Sequence, residues 1–265
     1  MNSWLPNVGS LYLLVGALGL CLGSFLNVVI HRLPRNESLL WPPSRCGGCG
    51  KAIRPWHNVP LLGWLVLRGR CADCNASISV RYPLVELLGG VLTLLAFAFA
   101  PTPWHSLAAL WLGLSLLAVF WIDLDHRIIP DEISLGGTAF GLVLSVCTIG
   151  IWPAVLGALL GGGGLFAIAI GYEKSRGRTG MGMGDVKLAL MLGAFLGWQG
   201  VLLTVMLASV FGSLLGITLL LTRRGDGATA LPFGCFLAPA AWAALYLGPR
   251  IWDWYLGLFP LAAHP

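Results

Sequence analysis

Charge is what this sequence has least of. Asp, Glu, Lys and Arg make up 10% of its 265 residues, where soluble domains carry about 25%. With 57% hydrophobic residues and a mean hydropathy of +0.82, a soluble fold of this length has no means of hiding its apolar surface, so the bilayer is its solvent. Nor is a cleavable signal peptide expected. Met1 to Gly9 holds no basic region, and no small-residue cleavage site precedes His31, so the first apolar run reads as a permanent span. There is no Gly-x-Ser-x-Gly motif, and His126 has no evident serine partner, which disfavours a serine nucleophile. The absence of Gly-x-Gly-x-x-Gly after a strand argues against a soluble nucleotide-binding domain.

What is present organises around apolar runs. Eight of them lie at about 8–30, 82–100, 106–122, 133–150, 154–172, 186–199, 201–222 and 234–249, most near the roughly 20 residues that a helix needs to cross the hydrocarbon. The sixth is short, so one end is expected to begin inside the bilayer or a cavity. The expected fold is therefore an all-α polytopic membrane protein of about eight helices. It divides into a first transmembrane helix (1–30), a loop (31–81) and a membrane core of seven helices (82–265). The 36 glycines suit close helix approach in lipid, and the Gly161–Gly164 run is read that way. The 12 tryptophans suit the membrane–water interfaces.

The net charge of +5 follows from topology. Of the 16 basic residues, all but Arg250 fall on one side of this arrangement. They sit in the 31–81 loop, at Arg127, around Lys174, Arg176, Arg178 and Lys187, and at Arg223 and Arg224. The positive-inside rule makes that side cytoplasmic and places both termini outside. Charges that flank spans do not form one stripe, so nucleic acid is not an expected partner.

The 31–81 loop is the only segment long enough to fold by itself. It carries Cys46-Gly-Gly-Cys49 and, 21 residues later, Cys71-Ala-Asp-Cys74. Two such knuckles make a four-thiolate site for zinc. A loop with little apolar core gains folding energy from such a metal. The alternatives are two disulfides or four free thiols; a reducing cytoplasm disfavours the former. With all four positions filled by protein, the metal is structural. Cys21, Cys147 and Cys235 are isolated in or beside apolar runs and read as packing residues.

Carboxylates bordering spans are functional candidates because they are costly to bury. One cluster is Asp123-Leu-Asp125-His126-Arg127-Ile-Ile-Pro130-Asp131-Glu132; the other is Gly182-Met-Gly184-Asp185-Val-Lys187. Both fall at the same membrane face on different spans. Two carboxylates within a few ångströms share one proton and polarise a water between them. One then serves as general base, the other as acid toward a peptide carbonyl. Asp185 heads a helix. In the first cluster Asp123 is deepest, following Phe120-Trp121-Ile122, while Asp125, Asp131 and Glu132 look more exposed; position alone leaves the partner open.

These residues resemble the bacterial prepilin peptidase family, also called type 4 prepilin leader peptidases. The resemblance covers nearly the whole chain. It runs through Gly23-Ser-Phe-Leu-Asn-Val-Val-Ile-His-Arg-Leu-Pro34, Ser44-Arg-Cys46 with both knuckles, Asn58-Val-Pro60 and Leu67-Arg-Gly-Arg-Cys71. It continues through Arg81-Tyr-Pro-Leu-Val-Glu86, the two acidic motifs and Pro232-Phe-Gly234. The family pattern sets an aspartate seven residues before an Ile-Pro proline, which selects Asp123, and its second aspartate falls on Asp185. The resemblance implies a membrane aspartic endopeptidase of the bacterial inner membrane. It would remove the short basic leader of type IV pilins and pseudopilins after a glycine, then methylate the new N-terminus with S-adenosylmethionine. For the methyl donor, Asn27, Arg81 and Glu86 are contributors to test; Glu86 is equally open to contact with the leader or to pairing with an arginine. One departure is Cys235, where the family often has proline. The rival readings are a small transporter with an acidic relay, which should line a path through the midplane, and a zinc-loop adaptor, which leaves both aspartate motifs without a role.

Overall fold

A computed structural model describes residues 8–177, 180–222 and 232–258. Of the sequence readings, Met1–Asn7 and the charges Arg178, Arg223 and Arg224 lie outside the described residues. The chain divides into two compact units, Met1–Ile122 and Asp123–Pro265. No strand is present among the described residues; two isolated bridges, Arg45 with Ala52 and Arg70 with Ser77, are the only β pairing there.

The first unit contains α1 (Val8–Arg32), a one-turn α2 (Leu62–Val66), α3 (Arg81–Phe99) and most of α4 (Pro103–His126). Lipid offers no hydrophobic drive between helices, so their association depends on close van der Waals approach. Gly19 and Gly23 of α1 supply it. A β-carbon on Gly19 would stand 2.6 Å from Thr93, and one on Gly89 would stand 2.6 Å from the Gly23 Cα. Helices α1 and α3 therefore meet backbone to backbone.

The second unit repeats the device. It comprises the last turn of α4, α5 (Asp131–Ser145), α6 (Ile151–Ala158), a five-residue π segment (Leu159–Gly163), α7 (Gly164–Arg176), α8 (Met183–Leu221) and α9 (Gly234–Gly257). Gly157 of α6 presses on Gly193 and Gly197 of α8, and Gly161 on Ala189. The glycine run is thus half explained by packing: Gly161 and Gly162 meet α8, whereas Gly163 and Gly164 have nothing within 4 Å.

Among the described residues, five helical stretches are long and apolar enough to cross a membrane: Gly9–Arg35, Arg81–Phe99, Pro103–His126, Ile151–Arg176 and Met183–Leu221. The expected eight runs all map onto helices, but the count does not follow from length and composition. Helix α5 has 15 residues, about 22 Å of rise against about 30 Å of hydrocarbon, and α9 is not among the five. The expected sixth and seventh runs are one continuous assignment of 39 residues. A straight helix of that length would measure about 58 Å. Gly197 interrupts it with φ 68° and ψ −178°, a conformation that only glycine adopts readily.

The packing predicts a contrast. Gly193→Ala, whose β-carbon would collide with the α6 backbone, should destabilise by about 1–3 kcal/mol or more. Gly163→Ala should leave stability unchanged or slightly raised, because alanine is the better helix former. Thermal melts of the detergent-solubilised variants check both; equal melting temperatures would contradict the packing account.

Candidate functional site

Helix α4 ends where its last buried residues stop. Ile122 is fully buried, Asp123 is 5% exposed, and Arg127 turns left-handed (φ 56°) with its N–H donating to the Asp123 carbonyl at 2.9 Å. Ile128, Ile129 and Pro130 then carry the chain to α5, Pro130 being extended as its N-cap. Asp123 is the deepest acidic residue of its segment, as expected; Asp125, Asp131 and Glu132 are exposed.

Three helix ends converge on Asp123 and Ile129 within the second unit. At the start of α8, Gly184 lies against Ile129, where an added β-carbon would stand 3.1 Å from the Ile129 Cβ. Asp185, one residue on, is half-buried and feels the charge of Asp123. Gly182 is the extended N-cap, and its carbonyl accepts the Asp185 N–H at 3.2 Å. At the start of α9, a β-carbon on Gly234 would meet Asp123 Oδ2 at 2.8 Å and Ile129 Cδ1 at 3.1 Å. Glycine at 234 is thus a condition for the carboxylate to sit where it does. The next residue, Cys235, donates its backbone N–H to Asp123 Oδ2 at 3.1 Å. On the exposed side, Lys187 Nζ reaches both Asp131 oxygens at 2.8 Å, tying the start of α8 to the start of α5. An exposed pair of this kind is worth about 1 kcal/mol at most.

The four-cysteine loop belongs to the first unit. Both knuckles have the same wiring. Cys46 N–H donates to Lys51 and Gly50 N–H to Cys46; Cys71 N–H donates to Ala76 and Asn75 N–H to Cys71. The fifth residue of each, Gly50 (φ 70°) or Asn75 (φ 58°), is left-handed. The four sulfurs all lie within 4.8 Å of one another, with Cys46 and Cys74 3.8 Å apart. A tetrahedral zinc with arms of about 2.3 Å has sulfur–sulfur edges of about 3.8 Å, so the donor set fits that ion in chemistry and in size. Backbone N–H groups of Cys49 and Gly48 pull the Cys46 thiol down to about 6. Asp73 bridges the knuckles, 3.5 Å from Lys51 and 3.6 Å from Arg54.

Next to this loop is a cavity of about 1000 Å³, lined among others by Asn27, His31, Asn58, Trp64, Tyr82 and Glu86. That is at the upper end of the roughly 300–1,000 Å³ of small-molecule sites. Asn27 donates to the Tyr82 carbonyl at 3.1 Å. Glu86 Oε2 accepts the Leu61 N–H at 2.8 Å. Leu61 itself is held at φ 60°, ψ −51°, with Leu62 N–H closing a three-residue turn onto Pro60 at 2.7 Å. Such strain costs about 1–3 kcal/mol and collects at functional sites. Of the residues expected near a methyl donor, Asn27 and Glu86 come together in this cavity. Arg81 does not line it; its guanidinium stacks 4.3 Å from the Trp121 ring centroid. Glu86 accepts a backbone N–H here, that of Leu61. Sequence reading missed Leu61, and it missed Cys235 as a contact of Asp123. The signal for the second was its place directly after Pro232-Phe-Gly234.

Fold and site thus define an all-helical membrane protein with two acidic groups on neighbouring helix ends and a four-thiol loop. Residues 17–100 match the bacterial peptidase A24 N-terminal domain and residues 110–217 the type IV leader peptidase family. The chain belongs to that leader peptidase family. It is 41% identical over 269 residues to a prepilin leader peptidase/N-methyltransferase of Stutzerimonas stutzeri, covering 90% of this chain and 91% of the relative. Proteins of the same name from Aeromonas hydrophila (41%, covering 93% and 94%) and Pseudomonas aeruginosa (39%, covering 90% and 91%) are similar over comparable lengths. No solved structure matches.

The loop geometry carries a prediction. The purified protein should hold about one zinc per chain by elemental analysis, and Cys46→Ser should lower both that content and the melting temperature. An unchanged metal count in the variant would contradict the four-sulfur site.

Proposed function

We propose that this protein is a membrane aspartic endopeptidase. It cleaves the basic leader of type IV prepilins or pseudopilins at the cytoplasmic membrane face and methylates the new N-terminus. What supports the reading is that Asp123 and Asp185 lie at the ends of two helices packed through Ile129, with the charge of Asp123 acting on Asp185. The basic residues flanking the same ends support a cytoplasmic face of the inner membrane. A pilin precursor has basic residues before a hydrophobic helix, so its scissile bond would lie level with these ends. The acidic residues gather at helix ends, which does not favour a transport relay.

In this mechanism the pair shares one proton. The ionised carboxylate takes a proton from water as it attacks the scissile carbonyl carbon. The protonated one gives its proton to the carbonyl oxygen. When the tetrahedral intermediate collapses, the protonated carboxyl gives its proton to the leaving amine and the other carboxylate takes a hydroxyl proton of the intermediate, which restores the one-proton pair. No metal enters these steps, and zinc on Cys46, Cys49, Cys71 and Cys74 holds the loop.

For the second activity, the cavity beside Asn27 and Glu86 is the donor site we favour. S-adenosylmethionine supplies an electrophilic methyl group on sulfonium sulfur. An α-amine with a pKa of about 7.7–8 must lose a proton to attack it. Glu86 Oε2 is held by Leu61, and Oε1 is the acceptor that would orient the amine and take that proton.

Asp123→Asn or Asp185→Asn should each lower kcat/KM for leader removal by about 10³-fold or more without lowering the melting temperature. Retained cleavage in either would remove that residue from the pair. Glu86→Gln should lower methylation of a pre-cleaved pilin about tenfold or more and leave cleavage within about twofold. Methylation at the wild-type rate would refute the role of Glu86.

A further inference from the structure

The short helix α2 has two faces of different kinds. Leu62, Leu65 and Val66 stand at i, i+3 and i+4, one side of a helix, and are 60%, 60% and 76% exposed. The other side is already fixed to the protein. Gly63 is buried directly against the His57 carbonyl, where a β-carbon would collide. The Trp64 indole donates to the Ile78 carbonyl at 3.1 Å. The three apolar side chains therefore have no room to turn inward. Arg68 and Arg70 follow, both exposed.

One hydrogen bond sets the depth of this turn. The Leu61 N–H, immediately ahead of α2, donates to Glu86 Oε2 at 2.8 Å. Glu86 lies five residues beyond the start of α3 at Arg81, about 8 Å along its axis. Helix α3 has 19 residues, about 28 Å of rise against roughly 30 Å of hydrocarbon, so crossing takes its whole length. A helical side chain leans back toward the start of its helix, which leaves Leu61 a few ångströms below the level of Arg81. That is the boundary between headgroups and acyl chains, where interfacial helices lie.

We propose that α2 is an interfacial helix. Leu62, Leu65 and Val66 enter the leaflet at the Arg81 end of α3, and Arg68 and Arg70 meet the phosphates of anionic lipids there. Two observations select lipid as the occupant. The apolar face is tied to the first turns of a membrane span, where Leu84 and Leu87 are themselves uncovered by protein. Basic residues come directly after it, as on helices that bind anionic membrane surfaces. Because α2 lies between Cys49 and Cys71 in the chain, the four-cysteine loop is anchored to the bilayer between its two knuckles. The inference rests on α3 as a membrane span and is independent of the peptidase reading.

The test uses the full-length protein in nanodiscs of phosphatidylethanolamine and phosphatidylglycerol in equal parts, with the photo-cross-linker p-benzoylphenylalanine in place of Val66. After illumination, mass spectrometry should find the cross-linker joined mainly to phospholipid. A basic residue near an anionic surface is worth up to about fivefold, so phosphatidylglycerol adducts should exceed phosphatidylethanolamine adducts by about threefold or more. Arg68→Gln combined with Arg70→Gln should bring the two lipids to nearly equal yield. The measurement is repeated with a prepilin added. Adducts confined to protein, whether a second copy, the same chain or the prepilin, overturn the proposal, and so does the absence of any lipid adduct. A lipid ratio near one that the double substitution leaves unchanged overturns the part given to the arginines. Should the Val66 variant not melt like the wild type, the cross-linker in place of Leu65, on the same face, gives the same reading.

Discussion

The structure turns on how an acid side chain is kept at the end of an apolar helix. Asp123 follows the apolar run Phe120-Trp121-Ile122 and is itself nearly sealed. An acidic group in such a place needs donors and a wall. The start of α9 supplies both: the Cys235 N–H meets Oδ2, and Gly234 lets the backbone come close enough for that bond to form. Ile129 sits under the same corner and also receives Gly184, the residue before Asp185. Ile129 thus lies against the starts of both α8 and α9, with Gly184 and Gly234 packed on it.

The two units divide the chemistry. Residues up to Ile122 hold the four sulfurs and the large cavity; residues from Asp123 hold the two aspartates. The family matches fall along a similar line, 17–100 and 110–217. In the first unit the strained Leu61 turn is held by Glu86, while the Trp64 indole donates to the Ile78 carbonyl at 3.1 Å. The loop is therefore fixed to α3 on one side of the cavity and to its own second knuckle on the other. Structural metal and donor site would then share a frame, since Cys46 and Cys71 also line the cavity.

Much of this was legible in the sequence, for identifiable reasons. The cysteine spacing dictates a four-sulfur cluster whatever surrounds it. Pro130 marks the boundary between α4 and α5, and the apolar residues ahead of Asp123 foretell its burial. The break in the long α8 was expected near residue 200 and falls at Gly197, where positive φ is required. The number of spans was not legible. Hydropathy finds apolar runs, but a 15-residue helix and a kinked one of 39 residues do not translate into crossings by length. Long-range contacts were invisible too. Nothing in Arg81 announces an indole partner at Trp121, and an isolated cysteine in an apolar run reads as packing until its N–H is seen to point at a carboxylate.

The central claim is that Asp123 and Asp185 act as one unit. An experimental structure of the full-length protein in a lipid nanodisc, with a prepilin bound, tests it through a single distance. The account predicts carboxyl groups within about 4–6 Å of each other, on either side of one water beside the scissile carbonyl. Carboxyl groups that stay well beyond that range, with the carbonyl near only one of them, would contradict it.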